Sequence, residues 1–157
     1  MPRIDIAAAP ASRGSDYPAP HDAAFAGRVR RRLGDAVGIE GFGVNHRVLA
    51  PGEASALRHW HEVEEEMVVV LAGEVVLEEE GGETTLRAGE VAGFPAGRAD
   101  GHRIVNRSAA PATILEIGTR PVADRCHYPD AGMTGHTADG RRWFTRRDGT
   151  ALTEDEA

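Results

Sequence analysis

His59-Trp60-His61 is followed by Glu66 and, well downstream, by His102 and Asn106. Successive side chains of a β-strand point to opposite faces, so His59 and His61 emerge on one side and Trp60 on the other. At ~3.3 Å per residue the two imidazoles stand about 7 Å apart along the strand, close enough to converge on one metal ion. Glu66 adds a carboxylate oxygen and His102 a third imidazole. Such a set leaves coordination positions open for water, dioxygen or substrate, which a catalytic metal requires.

Strand parity extends the site. If Glu66 faces inward with the histidines, Val68 and Val70 share its face and wall the metal, while Met67, Val69 and Leu71 pack outward on a second sheet or a partner subunit. On the later strand His102, Ile104 and Asn106 share one face. Asn106 either hydrogen-bonds a ligand or metal-bound water or locks a neighbouring strand. His46 lies on a predicted strand and is a candidate for the cavity mouth. Taken singly, a His-x-His pair is more often a surface or core pair, and an acidic run such as Glu62 to Glu66 is usually a solvated face. The joint occurrence is what favours a metal.

The positioning elements are short apolar runs separated by glycine and proline. Residues 42–49 read as a strand ended by Pro51-Gly52, and Met67 to Leu71 as a strand covered on both faces. Val75 to Glu80 and Glu83 to Arg87 form a hairpin about Gly81-Gly82. Further strands are predicted over 91–95, 101–106 and 112–117. Many short strands without a long 3.6-period segment predict an all-β antiparallel sandwich or barrel. Residues 1–27 read as an extended arm, 22–32 as the best candidate for a minor helix, and Arg142 to Thr145 as one β element in the tail.

The chain has 157 residues, 41% hydrophobic and 27% charged, which suits one domain with a real core. A formal net charge of -7 argues against non-specific nucleic-acid or acidic-membrane binding. No apolar run reaches the ~18 residues that span a bilayer, and the N-terminus lacks a stretch of signal-peptide length. The single cysteine, Cys126, has no internal partner, so the cytoplasm is the expected compartment. Cys126 itself reads as buried or incidental rather than as a catalytic thiol. Arg28 and Arg30 to Arg32, with Arg141, Arg142, Arg146 and Arg147, form either a basic surface for an anionic ligand or, as the acidic chain favours, ion pairs across a subunit interface. Trp143 and Phe144 read as packing residues. His21, His127 and His136 read as exposed loop histidines without a paired ligand.

With these residues in view, the chain resembles the cupin superfamily over roughly 45–118. The first of two short motifs reads Pro51-Gly52, His59-Trp60-His61, Glu66 and Gly73; the second reads Gly89-Glu90, Phe94-Pro95-Ala96-Gly97, His102 and Asn106. The flanks resemble a bacterial subgroup of single-domain cupins. The resemblance implies a double-stranded β-helix, a jelly-roll barrel, with a divalent metal (Fe, Mn, Ni or Zn) held by His59, His61, Glu66 and His102. It places an N-terminal arm and lead-in strand over 1–40, the barrel over 41–120, and an extension over 121–157 that packs on the barrel or a partner subunit. Two departures leave alternatives open. The usual second-motif histidine position holds Asp100, which makes His102 the product of a two-residue turn insertion or Asp100 the ligand in its place. Glu65 lies beside Glu66 near the expected carboxylate position.

The expected function is metal-dependent action on, or binding of, a small polar organic molecule. A dioxygenase or an isomerase fits such a site by analogy with the superfamily. The alternatives are a non-catalytic cupin that binds a sugar or carboxylate, and an assembly scaffold. A general base is not evident; Glu65, His46 or Asp100 serves only if it faces inward. Barrels of this type expose an apolar sheet face, so a homodimer is expected, with arm and tail available for strand exchange or for closing the barrel end.

Overall fold

Glycine and proline punctuation turns the β-branched runs into antiparallel strands in a computed structural model that describes residues 3–152, so the outermost positions of arm and extension lie outside it. The strands are β1 (Ala11–Arg13), β2 (Val29–Arg32), β3 (Phe42–Leu49), β4 (Trp60–His61), β5 (Glu66–Ala72), β6 (Glu74–Glu79), β7 (Gly82–Arg87), β8 (Val91–Phe94), β9 (Arg103–Val105), β10 (Ala112–Thr119), β11 (Ala123–Tyr128), β12 (Met133–Ala138) and β13 (Arg141–Arg146). One sheet runs β1-β2-β3-β10-β5-β8, a second β13-β12-β11-β4, and a third β7-β6-β9.

Two apolar clusters hold the sheets together. Leu49, Val70, Ile114 and Ala112 of the large sheet meet Val75, Leu77, Leu86 and Ile104 of the three-stranded sheet. Tyr17 and Phe25 of the arm meet Cys126, Tyr128 and Met133 of the tail. Tyr17 is the hub there, edge-on to Phe25 at 5.2 Å and to Tyr128 at 5.4 Å. The arm and tail thus close the end of the barrel within one chain.

Several sequence expectations change. Helix is confined, among the described residues, to two 3-10 turns at Ala23–Phe25 and Asp35–Val37. The expected helix over 22–32 is instead β2, because 29–32 finds hydrogen-bonding edges on both β1 and β3. The tail forms three strands rather than one, which brings β11 beside β4. His127 and His136 lie on those strands, and His127 stacks on Trp60 at 4.2 Å. Phe144 packs in the second cluster, whereas Trp143 is exposed and stacks on His136. β5 is covered on one face only; Met67 and Leu71 stand exposed on the other.

Gly73 makes the β5–β6 turn with φ +79°, and a Cβ there would lie 3.0 Å from the Ala112 Cα and 3.1 Å from the Pro111 carbonyl oxygen. Neither backbone atom can swing away. Gly73→Ala is therefore expected to cost about 2 kcal/mol or more, read as a lower urea midpoint with an unchanged slope.

Candidate metal centre

The two imidazoles are brought together by β4 and the residue before it. His59 pairs with His102 as an isolated antiparallel bridge, His59 N–H donating to the His102 carbonyl at 3.0 Å and His102 N–H to the His59 carbonyl at 2.8 Å. Residues so paired project to the same face, and their rings lie 4.7 Å apart. His61 follows on the same side, its ring 5.1 Å from that of His59. Glu66 opens β5 and pairs with Phe94 of β8, whose ring lies flat on His102 at 3.5 Å. The phenyl ring fixes the third imidazole as hydrogen bonds fix the other two.

All three converge on one oxygen. Glu66 Oε2 lies 3.3 Å from His59 Nε2, 3.5 Å from His61 Nε2 and 3.2 Å from His102 Nε2. His59 Nδ1 donates to the Leu57 carbonyl at 2.8 Å, and His61 Nδ1 donates to Asp124 Oδ2 at 2.5 Å. In the neutral rings these bonds place the proton on Nδ1 and turn Nε2 toward the centre, the tautomer a metal ligand needs. Bare imidazole nitrogens crowded on a carboxylate repel it unless a cation stands among them. The donor set, three nitrogens and an oxygen, fits a divalent transition metal.

The electrostatics reflect the crowding. Burial, the largest influence on Glu66, would raise its pKa, but His102, His59 and His61, wherever they carry a proton toward it, hold it well below the carboxylate range. Burial likewise opposes protonation of His61, yet the Asp124 contact and the neighbouring Cys126 and Glu66 push it up to about 11. His59 is raised by Cys126 and Glu66 against its burial, whereas burial wins at His102 and lowers it. Glu64, pressed close by burial and then by Glu66, is pushed up to about 7.

The alternatives raised by the motif departures separate cleanly. Asp100 turns to the Glu80 amide at 3.0 Å and to Arg98, so the inserted turn carries His102, not Asp100, to the cluster. Glu65 is exposed, with Glu64 and Glu66 facing inward on either side of it. Val68 and Ile104 line the cavity, but Val70 is fully buried in the core beyond it. His46 is not at the cavity mouth: Asn45 and Arg47 take the inward face of β3 and His46 the outer one, opposite Leu115. Asn106 meets no ligand space. Its amide donates to the Leu49 and Ala110 carbonyls and its oxygen accepts from Ser108, which locks the turn into β10.

Sequence reasoning missed Asp124 and Glu64, and it weighed the arginines as an anion-binding surface only as the less favoured alternative. Asp124, Cys126 and Tyr128 alternate on β11, and Cys126 pairs with His61, so their common face abuts the cluster. Cys126 is 4% exposed, and its sulfur lies within 4.8 Å of ligand atoms of His59 and His61. The cluster lines a cavity of about 680 Å³ that is also lined by Arg28, Arg30, Arg32, Asn45, Glu116 and Arg142. Arg30 and Arg32 of β2, and Arg28 just before it, thus line the cavity.

The two facing sheets and the histidine–carboxylate cluster define a cupin barrel. The cupin domain family model (Cupin_2) matches residues 45–118. A crystal structure described as a sugar phosphate isomerase from a cupin superfamily, from Silicibacter pomeroyi DSS-3, is 43% identical over 98% of both chains, with a TM-score of 0.92. A second, described as a candidate sugar phosphate isomerase from Acidithiobacillus ferrooxidans, is 31% identical over 81% of both chains, with a TM-score of 0.74. TT1209 from Thermus thermophilus is 26% identical with a TM-score of 0.55, and its whole length matches 77% of this chain. No curated protein matches the sequence. The chain belongs to the cupin superfamily, and its likeness to the first structure takes in arm and tail as well as barrel.

Proposed function

We propose that the protein is a metal-dependent isomerase of a small phosphorylated sugar. The observation that carries this reading is the placement of Glu64 in the same cavity as the His59–His61–Glu66–His102 cluster, with space for a reacting carbon chain between them and the arginine wall. The names of the two similar structures support the substrate class. A bound Fe, Mn, Ni or Zn ion would polarise a substrate carbonyl and acidify the neighbouring C–H bond.

The chain's own residues supply the rest. Glu64 is anchored through its backbone N–H to Asp124 Oδ1 at 3.3 Å, and its carboxylate lies 3.7 Å from His61 Nδ1. The carboxyl occupies the space that a side chain at Gly118 would fill. From there it takes the proton from the carbon beside the carbonyl and returns it to the former carbonyl carbon. The hydroxyl hydrogen passes to the former carbonyl oxygen, so aldose and ketose interconvert with no change in composition or oxidation level.

Metal-loaded protein incubated with pentose and hexose phosphates in D2O is expected to form the isomer and to place deuterium at the exchanging carbon. Glu64→Gln is expected to lower both rates at least a hundredfold while keeping its metal. Binding without turnover would replace the proposal with the ligand-binding cupin, and oxygen consumption without isomer formation with the dioxygenase.

The homodimer is part of the same proposal. Phe42, Val48, Met67, Leu71 and Val91 are exposed on the outer face of the large sheet, an apolar patch that a second copy would cover. Light scattering at micromolar concentration is expected to give twice the 16.8 kDa chain mass; the single-chain mass would contradict it.

A further inference from the structure

We infer that Arg28, Arg30 and Ser15, all outside the matched cupin domain, form the seat of the substrate's phosphoryl group; the assignment rests on the isomerase reading for its substrate but not for its anion.

The pairing of β1 with β2 sets Ser12 opposite Arg30, and Gly14 N–H donates to the Arg28 carbonyl at 2.9 Å. Arg28, Arg30 and Arg32 therefore share the cavity face, while Arg31 turns out to the Ala7 carbonyl. Most charged groups of this wall already have partners. Arg32 lies 3.4 Å from Asp35, Arg142 lies 3.0 Å from Asp16, and Arg120 is hydrogen-bonded to Asp35.

Arg28 and Arg30 differ. Arg28 is 8% exposed, yet among the described residues no carboxylate pairs with it. Its Nε donates to the Gly14 carbonyl at 2.8 Å, its guanidinium lies 5.6 Å from the Phe25 ring centre, and no hydrogen bond to described residues engages its terminal nitrogens. Arg30 reaches only Glu116, at 3.6 Å, and Glu116 is already held by Arg47 at 2.9 Å. The Arg30 Nε and the Ser15 Oγ are buried without any hydrogen-bond partner. Among the described residues, the carboxylates that ion-pair with Arg28, Arg30 and Arg47 are thus Glu116 and Glu53, two negative charges for three positive.

Unneutralised guanidinium and idle buried donors are costly unless an anion completes them. A phosphoryl group brings up to two negative charges and three acceptor oxygens, which suits two guanidiniums and a hydroxyl. The spacing fits a phosphate attached to something. From β2 to β5 the sheet order crosses β3 and β10, three steps of ~4.8 Å or about 14 Å of sheet. Arginine and glutamate side chains projecting into the curved sheet shorten that gap to the length of a short carbon chain, with the phosphoryl at one end and the reacting carbons at the Glu66 end.

Isothermal titration of the metal-loaded full chain with inorganic phosphate is the test. Wild-type protein is expected to bind phosphate and to prefer it to acetate. Arg30→Met is expected to weaken phosphate binding at least tenfold and Ser15→Ala several-fold, with metal binding unchanged in both. His59→Ala is expected to retain phosphate binding. Absence of phosphate binding in wild type, equal binding of acetate, unchanged affinity in both arm variants, or loss of phosphate binding in His59→Ala would each overturn the assignment. Phosphate binding by a protein that isomerises nothing would remove the enzymatic reading alone; isomerisation without phosphate binding would remove the seat alone.

Discussion

His102→Ala is expected to abolish tight divalent-metal binding, lowering affinity more than about a hundredfold, and His59→Ala to do the same. Each imidazole is one of few donors, and each has its Nε2 within 3.3 Å of Glu66 Oε2. Asp124→Asn is expected to act more gently, by about 10–100-fold, because Asp124 orients His61 rather than touching the centre. Asp100→Ala is expected to leave metal affinity unchanged, since that carboxylate is spent on the Glu80 amide. Metal per chain after dialysis, by elemental analysis, reads all four. Equal loss in Asp100→Ala and His102→Ala would contradict the assignment of the inserted turn.

Arg47→Met is expected to be the most destabilising single change outside the glycine turns, at roughly 3–5 kcal/mol. The Arg47 side chain is 0% exposed and donates to the Ser55 carbonyl at 2.5 Å, to Glu116 at 2.9 Å and to Glu53 at 3.3 Å. Removing it leaves the Ser55 carbonyl unpaired and Glu116 facing Arg30 alone. It also releases the turn that Glu53 ties to the Ala50 amide. At 2–4 °C per kcal/mol for a chain of this size, the melting temperature should fall by roughly 10 °C. A loss under about 1 kcal/mol in urea would show that the pair contributes little beyond the packing of its aliphatic stem.

The barrel is legible in the sequence because its signals are local. Gly81-Gly82 marks the β6–β7 hairpin within a residue, and alternation along β5 separates buried Val68 from exposed Met67. Parity puts His59 with His61 and Glu66 with Val68, and the resemblance to the two cupin motifs is what joins Glu66 and His102 to the pair. Parity gives a face and not a depth, which is why Val70 belongs to the core and Asn106 to a turn. The arm and tail are harder. Pairing of β11 with β4 joins residues more than sixty positions apart, and nothing near Asp124 announces His61. Arg28, Arg30 and Arg32 do alternate, yet next to a glycine, with no apolar alternation, that pattern reads as a weak helix. Their role becomes visible only when β1 and β3 flank them.

The most direct test of the metal centre is an anomalous diffraction map from crystals of the full chain soaked in Mn or Zn. One dominant peak is predicted in contact with His59, His61, Glu66 and His102 together. No peak at those side chains, or a dominant peak bound instead by His61, Glu64 and Asp124, would contradict it.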